Sequence, residues 1–257
     1  ASIARPEGRL IWMHGASVGE TVSLLPLIER LVQRGFPVLV TSGTVTSARV
    51  LEKRLPAGAI HQFVPLDLPA FAQRFLDHWQ PDLILITESE LWPNMISAAS
   101  ERGTPMVMVN GRMSQRSFTR WSKFRPFAEA ILSRFDLCLA QSEEDARRLT
   151  QMGAPRVTLT GNLKFDVPLD DRLQAAGWQA RARLSRPVVV LASSREGEEQ
   201  ALLQALQRTP QALEQAHWLI VPRHPQRFDE VADLVQAAGF ALLRRSPCDS
   251  LEQAADR

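Results

Sequence analysis

The residues of this chain best suited to acid–base or anion chemistry come directly after short apolar runs. Glu20 closes the stretch LIWMHGASVGE, in which the apolar run Leu10–Met13 leads into a small-residue turn and then into the carboxylate. Behind Glu20, the apolar residues Val22, Leu25, Ile28 and Val32 recur at helical spacing. A strand buried on both faces, followed by a helix N-terminus, puts Glu20 at the carboxyl edge of a parallel sheet, where open α/β sheets bind ligands. Either Glu20 offsets the helix dipole, as acidic first-turn residues do, or it acts on a ligand. Glu88 and Glu90 follow the run Leu83–Ile86 in LILITESELWPN. Strand alternation puts both on one side if the strand continues past Ile86. Neighbouring carboxylates raise at least one pKa, which suits proton transfer or a hydroxyl-rich ligand. The other reading is that one caps the helix starting near Leu91 and the other is solvated. Trp92 reads as core or as a sugar-stacking face.

Further along, ASSREGEE (192–199) places Ser193, Ser194, Arg195 and Gly197 between a strand and a helix, a layout that can bind an anion. PRHPQRF (222–228) brings Arg223, His224 and Arg227 to the end of another strand, and a nucleotide phosphate is their natural partner. TSGTVTS (41–47) can cap the next helix or bind an anion. Between 110 and 134, Arg112, Arg116, Arg120, Lys123, Arg125 and Arg134 alternate with Phe118, Trp121, Phe124 and Phe127. On a helical wheel the cations at 116, 120 and 123 lie opposite Phe118 and Trp121. This suits a membrane-surface contact, and equally a helix with a solvated basic face and a core-packed aromatic one. Pro126 is expected to break or kink that helix.

The elements that position these residues alternate strand and helix. Strands are expected at 10–13, 37–40, 60–64, 83–86, 106–109, 137–140 and 157–159, then at 188–191, 218–221 and 240–243. Helices are expected around 21–34, 46–54, 69–79, 92–102, 143–152, 197–208 and 226–238, with Gly35, Gly103, Gly153 and Gly239 at their ends. The pattern is that of βαβ units in a doubly wound parallel sheet. Ten strands are too many for one ordinary open sheet. The turn-rich stretch TGNLKFDVPLDD (160–171) therefore reads as a junction between two domains, the second short of strands.

The 257 residues suffice for one large or two modest domains, and a formal charge of +2 points to no nucleic-acid partner. Cys138 and Cys248 form no CxxC pair, and the scattered histidines show no HExxH spacing, so neither a disulfide framework nor a metal is expected. No apolar run reaches the roughly 18 residues of a membrane span, and no signal peptide opens the chain.

HGASVGE, TESELWPN, NGRMS, AQSEEDARRL, TGNLKFD, SSREGEE and VPRHPQRF occur in the order found in the 3-deoxy-D-manno-oct-2-ulosonic acid (Kdo) transferases, which this sequence resembles from Leu10 to about Phe228. The resemblance implies two Rossmann-like domains facing a cleft, the GT-B glycosyltransferase architecture. Residues 1–163 would take a lipid A precursor, and residues 164–257 would be a partial domain binding CMP-Kdo. It implies an inverting transfer in lipopolysaccharide assembly at the cytoplasmic face of the bacterial inner membrane, with no cofactor or metal. Glu20 would be the catalytic base, and Glu88 and Lys164 would stabilise the transition state. Ser193, Arg195, Arg223 and His224 would hold the donor, and Ser17, Arg112, Arg116 and Arg120 the acceptor. Members of the family usually carry an N-terminal membrane anchor, a glycine-rich stretch and an N-x-x-E-type motif. None of these is in this sequence, so an incomplete second domain is expected. The competing readings are a nucleotide-sugar epimerase of the same architecture and a non-catalytic acceptor-binding fragment.

Overall fold

A computed structural model describes residues 3–169 and 171–244. The chain divides into two compact units, 1–168 and 169–257. In the first, the elements run β1 (Ile11–His14), α1 (Val18–Gln33), β2 (Val38–Ser42), α2 (Val45–Arg54), β3 (Ala59–Phe63), α3 (Pro69–Trp79) and β4 (Leu83–Thr87). They continue with α4 (Pro93–Glu101), β5 (Met106–Gly111), α5 (Gln115–Ser122), α6 (Arg125–Leu132), β6 (Leu137–Ala140), α7 (Glu143–Gln151) and β7 (Val157–Leu159). Leu163–Asp166 form a 3₁₀ turn.

The strands form one seven-stranded sheet in the order β3-β2-β1-β4-β5-β6-β7. Every pairing is parallel. β1 and β2 are buried at every residue, as strands covered on both faces must be. Along β1 the pleat sends Trp12 to one layer, with Phe75, Leu76 and Trp79 of α3 and Ile96 of α4. Ile11 and Met13 go to the other, with Leu24, Leu25 and Ile28 of α1 and Leu51 of α2. Ile28 is wholly buried, and truncating such a side chain to alanine costs about 2–5 kcal/mol. Strand order reverses between β1 and β4, and open α/β sheets bind ligands at the carboxyl ends of strands at such a switch point. That edge carries Glu20 and Glu88.

The expected strands and helices of this unit appear within a few residues of their expected bounds. The expected terminal glycines take positive φ. At Gly153 a Cβ would lie 2.6 Å from Glu129 Cγ, so α7 ends on the one residue that fits. Pro126 does not kink a longer helix. The chain breaks at Lys123–Phe124, and Pro126 lies in the first turn of α6, where its missing N–H costs nothing.

The second unit holds α8 (Asp171–Ala182), β8 (Val188–Ser194), α9 (Glu198–Arg208), α10 (Gln211–Gln215), β9 (His217–Pro222) and α11 (Phe228–Ala237). β8 and β9 pair in parallel. α8 has no apolar stripe, and Leu173 and Trp178 stand exposed on it, so periodicity gave no sign of it. The strand expected at 240–243 is absent: the segment is irregular and has no ladder partner among the described residues. Cys248 lies outside the described residues.

Glu199 of α9 is fully buried. It accepts a fork from Arg227 at 2.9 and 3.2 Å and a hydrogen bond from Ser194 Oγ at 2.7 Å. Burial pushes its carboxyl up, but the Arg227 and Ser194 hydrogen bonds outweigh that and hold it below its ordinary value of 4.5. A depressed folded-state pKa stabilises above the unfolded value and is lost as pH falls through the folded one. Thermal melts should therefore show stability dropping as pH falls below about 4.5. Glu199→Gln should lower the neutral-pH Tm and flatten that acid slope. An unchanged slope would remove Glu199 from the account.

Candidate active site

The site grows from the turn after β1. Gly15 lets that turn press against α1: a Cβ there would sit 3.2 Å from both Glu20 Cβ and Thr21 N. Ser17 is the N-cap of α1, accepting from Glu20 N–H at 3.3 Å. The Glu20 carboxylate folds back over the same turn. It accepts from Ala16 N–H at 2.9 Å and from Ser17 Oγ at 2.7 Å. This is close to a capping box, so the helix-start reading of Glu20 holds. The side chain is 8 % exposed, and each oxygen has a second lone pair beyond the one these bonds use.

At the end of β4, Glu88 adopts a left-handed φ of 57° and donates its N–H to the Val109 carbonyl at 3.0 Å. Its carboxylate meets Lys164 Nζ at 2.9 Å. The lysine stem passes the first turn of α1, where a Cβ on Gly19 would lie 4.0 Å from Lys164 Cε. Because β4 stops at Thr87 and Glu88 turns left-handed, strand alternation does not place Glu88 and Glu90, contrary to expectation. Neither caps α4. Asp67, from the loop after β3, accepts from Asn94 and Met95 N–H at 3.2 and 2.8 Å. Ser89 Oγ donates to the Arg112 carbonyl.

Glu90 is half-buried and accepts from Trp92 Nε1 at 3.1 Å. Its pKa is raised, first by burial and then by the negative charge of Glu20, with a smaller push from Glu88, while the Trp92 bond opposes. Glu90 therefore stands within reach of the charges of both Glu20 and Glu88. The only sequence signal for Glu90's part was its closeness to Glu88.

Trp92 packs on the core and meets His14 edge-on, with ring centroids 5.8 Å apart. These two rings, with Trp12, Val64, Ile86 and Met95, line a small apolar cavity beneath the edge. Trp12 Nε1 donates to Thr41 Oγ1 at 2.9 Å, and His14 Nδ1 bonds the same hydroxyl at 2.9 Å. Burial lowers the His14 pKa to about 4, opposed in part by its hydrogen bonding at Thr41. His14 is thus neutral when folded but takes a proton below 6.5 when unfolded. The unfolded chain binds more protons between these values, so stability falls as pH drops from 6.5 to about 4. The full effect is roughly 3 kcal/mol. Denaturant titrations of wild type and His14→Asn across this range should differ in slope; parallel curves would refute the assignment.

Thr44 caps α2, accepting from Ser47 N–H at 3.1 Å, so TSGTVTS takes its capping reading. A larger groove, about 710 Å³, runs along α2 and β3 and holds none of the candidate residues. Arg112 is exposed just after β5 at the same carboxyl edge, and Arg116 and Arg120 are exposed on α5. Phe118 and Trp121 pack on the core, while Phe124 and Phe127 are exposed. In the second unit, Ser193 and Arg195 lie at the carboxyl end of β8, and Arg223 and His224 follow β9; all are exposed. Ser193 is left-handed, with φ 56°, and Arg223 N–H donates to the Ser194 carbonyl at 2.9 Å. Arg227, expected among the ligand-binding cations, is instead committed to Glu199 and Glu230. Among the described residues no cluster of His, Cys, Asp and Glu could hold a metal ion, and no helix is long and apolar enough to cross a membrane.

Residues 1–167 match the sequence model of the 3-deoxy-D-manno-octulosonic-acid transferase (kdotransferase) family. The chain belongs to the Kdo transferase family. It is 40 % identical over 244 residues to a Kdo transferase of Bordetella pertussis, covering 92 % of this chain and 57 % of that protein. It is 35 % identical over 260 residues to a probable mitochondrial Kdo transferase of Arabidopsis thaliana, covering 97 % and 58 %. It thus spans about half the length of the curated Kdo transferases it matches. Among solved structures it is similar to a UDP-GlcNAc 2-epimerase from Neisseria meningitidis bound to UDP-GlcNAc, with TM-score 0.60, 14 % identity and coverage of 90 % of this chain and 70 % of that one. A glycosyltransferase from Rickettsia africae gives TM-score 0.58 at 12 % identity, covering 90 % and 65 %. At such identities the likeness shows the fold, the α/β architecture these transferases and epimerases share.

Proposed function

We propose that this chain supplies the acceptor-side machinery, and part of the donor side, of an inverting glycosyltransferase that moves Kdo from CMP-Kdo to a lipid A precursor. The observation that carries the reading is the meeting of Glu20, Glu88, Glu90 and Lys164 at the switch point of the first sheet. Glu20 takes the proton from an acceptor hydroxyl as that oxygen attacks the anomeric carbon of Kdo. The bond from that carbon to the CMP phosphate oxygen breaks, and the configuration inverts. Lys164, held by Glu88, meets the negative charge that develops on the leaving phosphate, with Arg223 and helix N-termini adding to the positive field. Ser193, Arg195, Arg223 and His224 contact the donor. Ser17, Arg112, Arg116 and Arg120 face the phosphorylated glycolipid, and the exposed Phe124 and Phe127 beside them suit the membrane surface that bears it. In this division residues 1–163 serve the acceptor and 164–257 the donor, and the reaction takes place at the cytoplasmic face of the inner membrane.

The test is transfer of labelled Kdo from CMP-Kdo to a lipid A precursor by the full-length protein. Labelled glycolipid supports the proposal. Release of free sugar from a UDP-sugar without transfer would establish the epimerase reading, and acceptor binding without either reaction would leave a binding fragment.

A further inference from the structure

Lys164 must be held at the sheet edge if it is to face a leaving group, and the structure shows what holds it. Glu88 directly follows β4 and Asn110 is the last residue but one of the adjacent β5, and both are non-glycine residues with left-handed φ, 57° and 53°. Such conformations persist only where the surroundings fix them, and they gather at functional sites. Both residues serve the same turn. Glu88 takes the Lys164 ammonium at 2.9 Å. Asn110 Oδ1 accepts Leu163 N–H, the residue just before it, at 3.0 Å. The next N–H, that of Lys164, goes to Asn162 Oδ1 at 3.0 Å.

Asn110 is itself fixed. It is 1 % exposed, and its own carbonyl accepts from Gln141 Nε2 at 2.8 Å. Its Nδ2 has no partner among the described residues. The bond from Leu163 N–H to Oδ1 is therefore the side-chain hydrogen bond that Asn110 makes among the described residues. The backbone at 110 admits Gly, Asn or Asp without severe strain. Glycine would lose the acceptor, and aspartate would bury a charge. Asparagine alone combines the left-handed turn with a neutral acceptor.

We propose that Asn110 is the positioning residue that sets Lys164 against Glu88, through the hydrogen bond from its Oδ1 to the N–H of Leu163. This rests on the transferase reading for its effect on rate, but not for its effect on geometry. Asn110→Gly separates the roles, because glycine suits the φ of 53° and removes only the side chain. Crystal structures of the full-length wild type and Asn110→Gly should show the Lys164 Nζ–Glu88 Oε1 contact opened beyond about 4 Å in the variant. Asn110→Asp, which keeps Oδ1, should retain the contact. In transfer assays Asn110→Gly should lower kcat about 10–10²-fold with KM for CMP-Kdo unchanged. In a Lys164→Ala background the same change should have no further effect, since both act through one group.

An intact contact in Asn110→Gly overturns the proposal, whatever the rate does. So does a kcat loss that adds fully to that of Lys164→Ala. If the wild type shows no transfer, the transferase reading fails and the two crystal structures still decide the role of Asn110. If Asn110→Asp does not fold, the glycine variant decides alone.

Discussion

Exchanging Glu20 for glutamine is expected to lower the transfer rate about 10²–10⁴-fold, the usual worth of a positioned general base. The exchange should do so with little loss of fold. Glu20 braces the turn before α1 and orients its cap, accepting from Ala16 N–H and Ser17 Oγ. Glutamine can keep the Ala16 bond through its amide oxygen, while its NH₂ donates to Ser17 Oγ, whose hydroxyl can turn to accept. Alanine cannot, and Glu20→Ala should add a stability loss of about 1–2 kcal/mol from those hydrogen bonds. Single-turnover rates and thermal melts of both variants separate the two roles. A glutamine variant with wild-type turnover would make Glu20 a brace of the turn and nothing more. One carboxylate thus braces the turn before α1 and accepts a proton, and the second lone pair on each oxygen is what permits both.

Removing Lys164 should produce the other large effect. Lys164→Ala is expected to lower kcat about 10²–10³-fold, as for loss of one preorganised group facing developing charge. Its ion pair with Glu88 should matter little to stability, because the lysine side chain is 43 % exposed and solvent screens the pair. A near-normal Tm with a collapsed rate is therefore the expected signature. Arginine should be a poor replacement, since its planar fork would engage Glu88 differently from a point charge. A rate within a few-fold of wild type in Lys164→Ala would remove the lysine from the chemistry and leave the Glu88 pair as an ordinary surface contact.

Much of this architecture was legible in the residues themselves. The runs Leu10–Met13, Leu83–Ile86 and Met106–Val109 are continuously apolar because both faces of the sheet are covered. Glycines end several helices because the left-handed turn favours them. The ordered motifs pointed to the family, which the match over residues 1–167 then showed. The segment expected as a strand at 240–243 has no ladder partner among the described residues, and strand character in one segment means nothing without one. Helix α8 was missed for the opposite reason, having no buried stripe to leave a period in the sequence.

Hydrophobic period and turn chemistry are local, so the amino-acid sequence says which residues lie at strand ends and which kinds of group stand there. It could not say that β4 would lie beside β1, a choice made by the packing of helices across both faces of the sheet. That choice brings Glu88, sixty-eight residues beyond Glu20 in the chain, to the edge where the charges of both help raise the pKa of Glu90. It also decides that Asp67 caps α4 and leaves Glu88 and Glu90 unclaimed by that helix, and that Asn110 reaches the turn before Lys164. These are contacts between distant segments fixed by folding as a whole, and no local pattern encodes them.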